Sequence, residues 1–133
     1  MPDNSRSQLI HKGSNTIILD SYNANPTSME AALNNFSKII SENKILFLGE
    51  MAELGDESVD EHKKILSMID GNKYSNIILV GKYFGDLTTR NGGLHFDDSE
   101  KAAEWLKKNP IKNSFILIKG SRSTKMERIL EAL

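Results

Sequence analysis

The sequence predicts an α/β domain of the Rossmann-like, three-layer kind. About six strands should form a mainly parallel sheet, with an antiparallel hairpin at its N-terminal edge. Three observations lead there. Short β-type runs alternate with helical patterns almost without pause, the rhythm of βαβ units. Ahead of that rhythm, two strand-like runs flank Lys12-Gly13-Ser14, a layout that suits a tight turn. The length of 133 residues matches one domain that buries a core of its own without staples.

The hairpin is read from Ser7 to His11 and from Asn15 to Leu19, so its second arm contains the first buried run, Thr16 to Leu19. Further strands are expected at Lys44 to Leu48, Asn76 to Val80, Leu94 to Phe96 and Ser114 to Ile118. The first helix carries Met29, Ala32, Leu33, Phe36, Ile39 and Ile40 on one stripe. Thr27 and Glu30 stand at capping-box spacing at its start, just after Pro26. The second has Ser58 and Glu61 at the same spacing and the stripe His62, Ile65, Leu66, Ile69. A third runs from about Asp98 through Ala102, Ala103, Trp105 and Leu106, and the last presents Met126, Ile129, Leu130 and Leu133.

Composition excludes several function classes. With 38% hydrophobic and 26% charged residues the chain resembles ordinary soluble globular domains. Its 17 basic against 18 acidic residues give no field to steer a polyanion, so neither nucleic acid nor an anionic membrane is an expected partner. The absence of cysteine rules out disulfides and thiolate metal sites and fits a cytoplasmic location. The longest apolar runs fall far short of the roughly 20 residues of a membrane span, and Met1 to Ser5 lacks the layout of a signal peptide.

The chemistry gathers where strands end. Asp20-Ser21-Tyr22-Asn23-Ala24-Asn25-Pro26 places a carboxylate, two carboxamides, a hydroxyl and a phenol between a buried strand and a helix. In parallel α/β domains that end of a strand is where ligands bind. Gly49, Gly81 and Gly120 each follow a strand directly, where a missing side chain permits either close ligand approach or a sharp turn. Nothing matches a P-loop or a dinucleotide fingerprint, so another domain must hold most of any ATP. Gly49-Glu50-Met51-Ala52-Glu53-Leu54-Gly55, with Ser58 and His62, offers two carboxylates and an imidazole. Yet His62 lies on an apolar stripe, where a hydrogen-bonded core histidine is commoner than a ligand, and no H-x-x-x-H spacing supports a metal. Lys119-Gly120-Ser121-Arg122-Ser123-Thr124 suits a phosphate or carboxylate; the plainer reading is a solvated basic turn with Ser123 capping a helix. Arg6 alone reads as a surface arginine.

Taken together these residues resemble a known family. Asp20 to Pro26 with Ser28-Met29 and Ala31-Ala32-Leu33, Leu48-Gly-Glu-Met-x-Glu-Leu-Gly55 with Ser58 and His62, and Lys119-Gly-Ser-Arg122 with Met126-Glu127 match the C-terminal domain of the Mur ligases. The form of the first motif resembles the branch that adds D-alanyl-D-alanine to a UDP-N-acetylmuramoyl-tripeptide in peptidoglycan synthesis, and the likeness runs from Ser5 to Leu133. One departure is Glu50, where the family usually shows aspartate. The resemblance implies a single C-terminal-type domain over residues 1–133, without the family's N-terminal UDP-sugar domain and central P-loop ATPase domain. It implies an ATP-driven ligation with Mg²⁺, both held mainly by the central domain, in which the peptide carboxylate becomes an acyl phosphate and the dipeptide amine displaces phosphate. By position, Arg6, Asp20, Asn23 and Asn25 would contact ATP; Asp20, Asn23 and His62 would serve catalysis; and Lys119, Ser121 and Arg122 would hold the dipeptide carboxylate. His62 would otherwise brace the Glu50 to Gly55 loop. No metal ligand is assigned, a monomer is expected, and this chain alone is expected to be inactive.

An alternative is a doubly wound nucleotide- or phosphate-binding module without catalysis, such as a phospho-acceptor receiver domain. That fold needs an aspartate after its central strand, whereas Asn76 to Val80 ends in Gly81-Lys82.

Overall fold

The computed structural model describes residues 7–20, 23–85 and 93–133. Arg6, Ser21 and Tyr22 lie outside the described residues. The strands are β1 (Gln8–Lys12), β2 (Asn15–Asp20), β3 (Lys44–Gly49), β4 (Asn76–Val80), β5 (Leu94–Phe96) and β6 (Phe115–Lys119). The helices are α1 (Pro26–Ser37), α2 (Ser58–Ser67), α3 (Lys82–Gly85), α4 (Ser99–Lys108) and α5 (Glu127–Ala132). The six strands form one sheet in the order β1-β2-β6-β3-β4-β5. Among the described residues only the β1–β2 hairpin is antiparallel; the other pairings run parallel.

Alternation along the strands sends residues to two cores. Leu46, Leu48, Ile77, Leu79 and Leu117 pack with Met29, Leu33 and Phe36 of α1 and Ile65 and Leu66 of α2. The residues between them, Ile45, Phe47, Ile78, Val80, Ile116 and Ile118, pack with Ala102 and Leu106 of α4 and Ile129 of α5. Both faces of β3 are therefore covered and all six of its residues are buried, which is why the run Lys44-Ile45-Leu46-Phe47-Leu48-Gly49 shows no polar alternation. Each such large apolar side chain contributes roughly 1.5–3 kcal/mol on burial.

The structure corrects four readings of the helix ends. The capping box of α1 is Asn25 with Ser28, not Thr27 with Glu30: Asn25 Oδ1 accepts from the Ser28 amide at 2.8 Å and Ser28 Oγ accepts from the Asn25 amide at 3.0 Å. Pro26 decides this, because a ring with fixed φ and no N–H belongs at the first helical position, so the cap must precede it. Ser58 does not cap α2. The chain is already helical there, since the 3-10 turn Gly55–Glu57 leads straight in and the Ser58 amide donates to Gly55. Ser123 likewise sits inside a 3-10 turn, Arg122–Thr124, and after Lys125 at φ 54 the helix α5 begins without a side-chain cap. Finally, α1 stops at Ser37, so Ile40 falls beyond the apolar stripe and is 99% exposed.

Removal of the Asn25 side chain in Asn25→Ala should lower stability by about 1 kcal/mol, the usual cost of a lost N-cap. Thr27→Ala should leave it within about 0.5 kcal/mol. Urea denaturation of both variants checks the cap assignment.

Candidate functional site

The topology opens a crevice at the carboxyl edge. The chain leaves β2 into α1 and β3 into α2, both on one face, whereas the strand between them, β6, exits to α5 on the other face. Loops that diverge from neighbouring strands in this way leave room for a ligand above the strand ends. The three polar stretches beginning at Asp20, Glu50 and Lys119 all lie at this edge, on strands about 4.8 Å apart in the order β2, β6, β3.

Asp20 and Lys119 are partners in the parallel β2–β6 register, so alternation points both side chains to the α1 face. There the Lys119 ammonium lies 2.8 Å from Asp20 Oδ2 and donates a second hydrogen bond, of 3.1 Å, to the Asn23 carbonyl. The Lys119 side chain is 1% exposed and that of Asp20 17%. A charge this deep must be paired, because an uncompensated ammonium would cost several kcal/mol. Asn23 itself is exposed. Asn25, two residues on, is engaged as the cap of α1.

The β6 and β3 loops are locked to each other. A Cβ on Gly120 would fall 2.8 Å from the Gly49 Cα, and one on Gly49 would fall 2.8 Å from Thr124 Oγ1, so neither position admits a side chain without displacement. The Ser121 amide donates to the Glu50 carbonyl at 3.1 Å, and the Glu50 amide to the Val80 carbonyl at 2.9 Å. Glu50 Oε1 accepts from the Tyr83 amide at 3.1 Å, which ties the loop to α3. Gly81, at φ +120, provides the turn that brings α3 under that carboxylate. Beyond Gly120, Ser121 Oγ lies 3.1 Å from Ser123 Oγ, Thr124 Oγ1 donates to the Ser121 carbonyl at 2.6 Å, and Arg122 is exposed.

His62 is fully buried, and both of its ring nitrogens have partners. Nε2 accepts from the Met51 amide at 2.9 Å, which requires the proton on Nδ1, and Nδ1–H then donates to the Ser58 carbonyl at 2.6 Å. The ring stacks on Tyr83 and meets Phe84 edge-on. Burial lowers its pKa from the ordinary 6.5, opposed more weakly by the Ser58 carbonyl and the Glu50 and Glu61 carboxylates. Its geometry braces the Glu50 to Gly55 loop from beneath the edge.

The edge thus brings together Asp20, Asn23, Lys119, Ser121 and Arg122 and sets His62 below them. Tyr83, 47% exposed with one ring face on His62, was not singled out by sequence. The signal was there in Gly81 after a strand, but a four-residue helix has no periodicity to read. Among the described residues no group of three His, Asp or Glu side chains is placed to hold a metal ion. Among them, too, no helix is long and apolar enough to cross a membrane.

A family model for the Mur ligase, glutamate ligase domain, matches residues 5–122. The chain belongs to the Mur ligase family. Its curated relatives include proteins named UDP-N-acetylmuramoyl-tripeptide–D-alanyl-D-alanine ligase. That of Buchnera aphidicola subsp. Acyrthosiphon pisum is 38% identical over 120 residues, covering 88% of this chain and 26% of the relative. That of Escherichia coli is 35% identical over 128 residues, covering 93% and 28%. Among solved structures, MurF from Acinetobacter baumannii superposes with a TM-score of 0.78 at 27% identity, over 98% of this chain and 30% of that one. The MurF ligase from Thermotoga maritima in complex with ADP gives 0.76 at 24% identity, over 98% and 30%. This Mur ligase domain therefore spans little more than a quarter of the length of the curated relatives it matches.

The depressed His62 pKa sets the sign of a pH effect. Below pH 6.5 the unfolded chain binds a proton at this residue that the folded chain refuses, so its contribution to stability is full above 6.5 and is lost as pH falls towards the folded pKa. Denaturant midpoints measured from pH 8 to pH 5 should fall on the acid side, and the slope should be reduced in His62→Gln.

Proposed function

We propose that this Mur ligase domain serves the ATP-dependent joining of D-alanyl-D-alanine to UDP-N-acetylmuramoyl-tripeptide, as the substrate- and nucleotide-contacting domain of a longer enzyme. The observation that carries the reading is the convergence of three polar loops, after β2, β3 and β6, on one crevice, in a chain whose curated relatives bear that ligase name. The encoded chemistry is of the right kind. ATP, when bound, supplies the activation of the peptide carboxylate as an acyl phosphate.

The chain's own residues then position and stabilise. The exposed Asn23 carboxamide donates to phosphate oxygens at the strand end. Asp20, with one oxygen on Lys119, accepts from hydroxyl or amine groups over the crevice. The Arg122 guanidinium, in the turn that also carries Ser121, holds the dipeptide carboxylate through charge-assisted hydrogen bonds. His62 acts from below as a positioning residue for the Met51 loop. Arg6, outside the described residues, is assigned to the nucleotide, and Asn25 contributes through the cap that fixes its neighbour Asn23. The sequence carries no P-loop motif, so most of the nucleotide and its Mg²⁺ are assigned to another domain of the longer enzyme.

The reading is tested on the complete ligase that carries this domain. Phosphate release should depend on both the UDP-tripeptide and D-alanyl-D-alanine, and a protein that turned over equally well without the dipeptide would refute it. Loss of one charge-assisted hydrogen bond costs roughly 1.5–3 kcal/mol, so Arg122→Ala should reduce kcat/KM for the dipeptide about ten- to a hundredfold with little change for ATP. The 133-residue chain alone should bind Mg-ATP more weakly than about 10 μM by calorimetry.

A further inference from the structure

We propose that Lys119 works in this reaction as a positioning residue, a buried strut that fixes the Asp20–Asn23 stretch over the crevice and does not itself hold substrate. The inference rests on the ligase reading above and goes beyond it by replacing the carboxylate clamp that sequence position alone assigns to this lysine. Three observations carry it. First, the Lys119 side chain is 1% exposed, and its ammonium already has two acceptors within 3.1 Å, Asp20 Oδ2 and the Asn23 carbonyl. A substrate carboxylate reaching that ammonium would have to enter a place that is 1% exposed and set a second anion beside Asp20. Second, the pair is built into the sheet, for Asp20 and Lys119 are register partners on adjacent parallel strands and alternation puts both on the α1 face. Third, the two acceptors are close in sequence: one belongs to Asp20, the last residue of β2, the other to the backbone of Asn23, three residues later.

The consequence is a loop tied down on both sides of its exposed side chain. Asn23 is pinned from below by Lys119, while Ala24 is buried in the α1 core and Asn25 is locked into the helix cap. The exposed Asn23 side chain is thus carried at the strand edge on a backbone held at its carbonyl, which is what a catalyst working by positioning requires.

The test has two arms. In the chain itself, Lys119→Met should speed amide exchange at Asn25 and Ser28, the two amides of the cap, by at least about tenfold, because the stretch before the cap has lost its tie. In the complete ligase, Lys119→Met should lower kcat per folded enzyme about ten- to a hundredfold while the KM for D-alanyl-D-alanine stays within about threefold. The double variant Lys119→Met/Asp20→Asn leaves no lone buried charge, so it keeps the exchange readout available if the single variant does not fold. Unchanged exchange would overturn the strut. So would a rise in the dipeptide KM with kcat unchanged, the signature of a clamp, or a drop in melting temperature with kcat per folded enzyme intact, the signature of a purely structural pair. If the wild-type ligase showed no dipeptide-dependent turnover, the ligase reading would fall instead, and the exchange arm would still decide whether Lys119 ties the loop.

Discussion

The insertion of β6 between β2 and β3 is the constraint on which the rest of this structure depends. Strands that are neighbours in the sheet need not be neighbours in sequence, and here the last strand enters the middle, flanked by the first parallel strand and the second. That one placement brings residue 119 beside residue 20, and residue 121 beside residue 50. It also sends the chain out of β6 to the opposite face from its neighbours, which creates the crevice. A sheet with β6 at its edge would keep the same strands, the same helices and nearly the same burial, but would scatter the three polar loops.

Much of this was legible from sequence because the signals were local. Buried strands, the turn at Gly13 and the apolar stripes of α1 and α4 are set by period, propensity and turn chemistry within a few residues. The placement of the Asp20, Glu50 and Lys119 loops at one edge followed from parallel topology alone, since every βα loop of a parallel sheet leaves from the same side. What escaped were pairwise facts that need strand order or atomic contact. Lys119 was assigned to the dipeptide carboxylate, and its pairing with Asp20 was not legible because the two lie 99 residues apart. The α1 cap was misassigned by two residues because the Thr27/Glu30 spacing was weighed above the stronger signal of Pro26. For His62 the sequence left a catalytic and a bracing role open, and only the two ring contacts show how both nitrogens are engaged.

Three lysines with hydrogen-bonded ammonium groups, Lys44 and Lys119 buried and Lys12 half-buried, show how the fold treats a positive charge according to place. Lys12 reaches the carbonyls of Leu130 and Glu131 at the end of α5 and so fastens the hairpin to that helix. Lys44 lies at the opposite edge from the crevice. Its ammonium takes the carbonyls of Phe36 and Ile39 and lies over the Phe36 and Tyr74 rings, and burial lowers its pKa, with Lys73 adding to the effect. In both cases the helix C-terminus supplies partial negative charge through groups already orphaned there. Lys119 differs because it meets a full carboxylate at the crevice. Of these three lysines, the structural ones neutralise a helix end and the one at the site neutralises a side chain with chemistry of its own.

The contact between Gly49 and Gly120 bears on how this edge can diversify. Each of the two backbones occupies the space that the other's Cβ would need, so enlarging one position cannot be compensated by shrinking the other; both are already at the smallest residue. Variation in this crevice is thereby channelled away from the hinge points of the strands and towards side chains such as those at 23, 53 and 122, which project outward from a fixed frame. Such an arrangement lets a lineage exchange recognition chemistry by single replacements without re-solving the backbone, and it places two residues that have no side chain among the least replaceable in the domain.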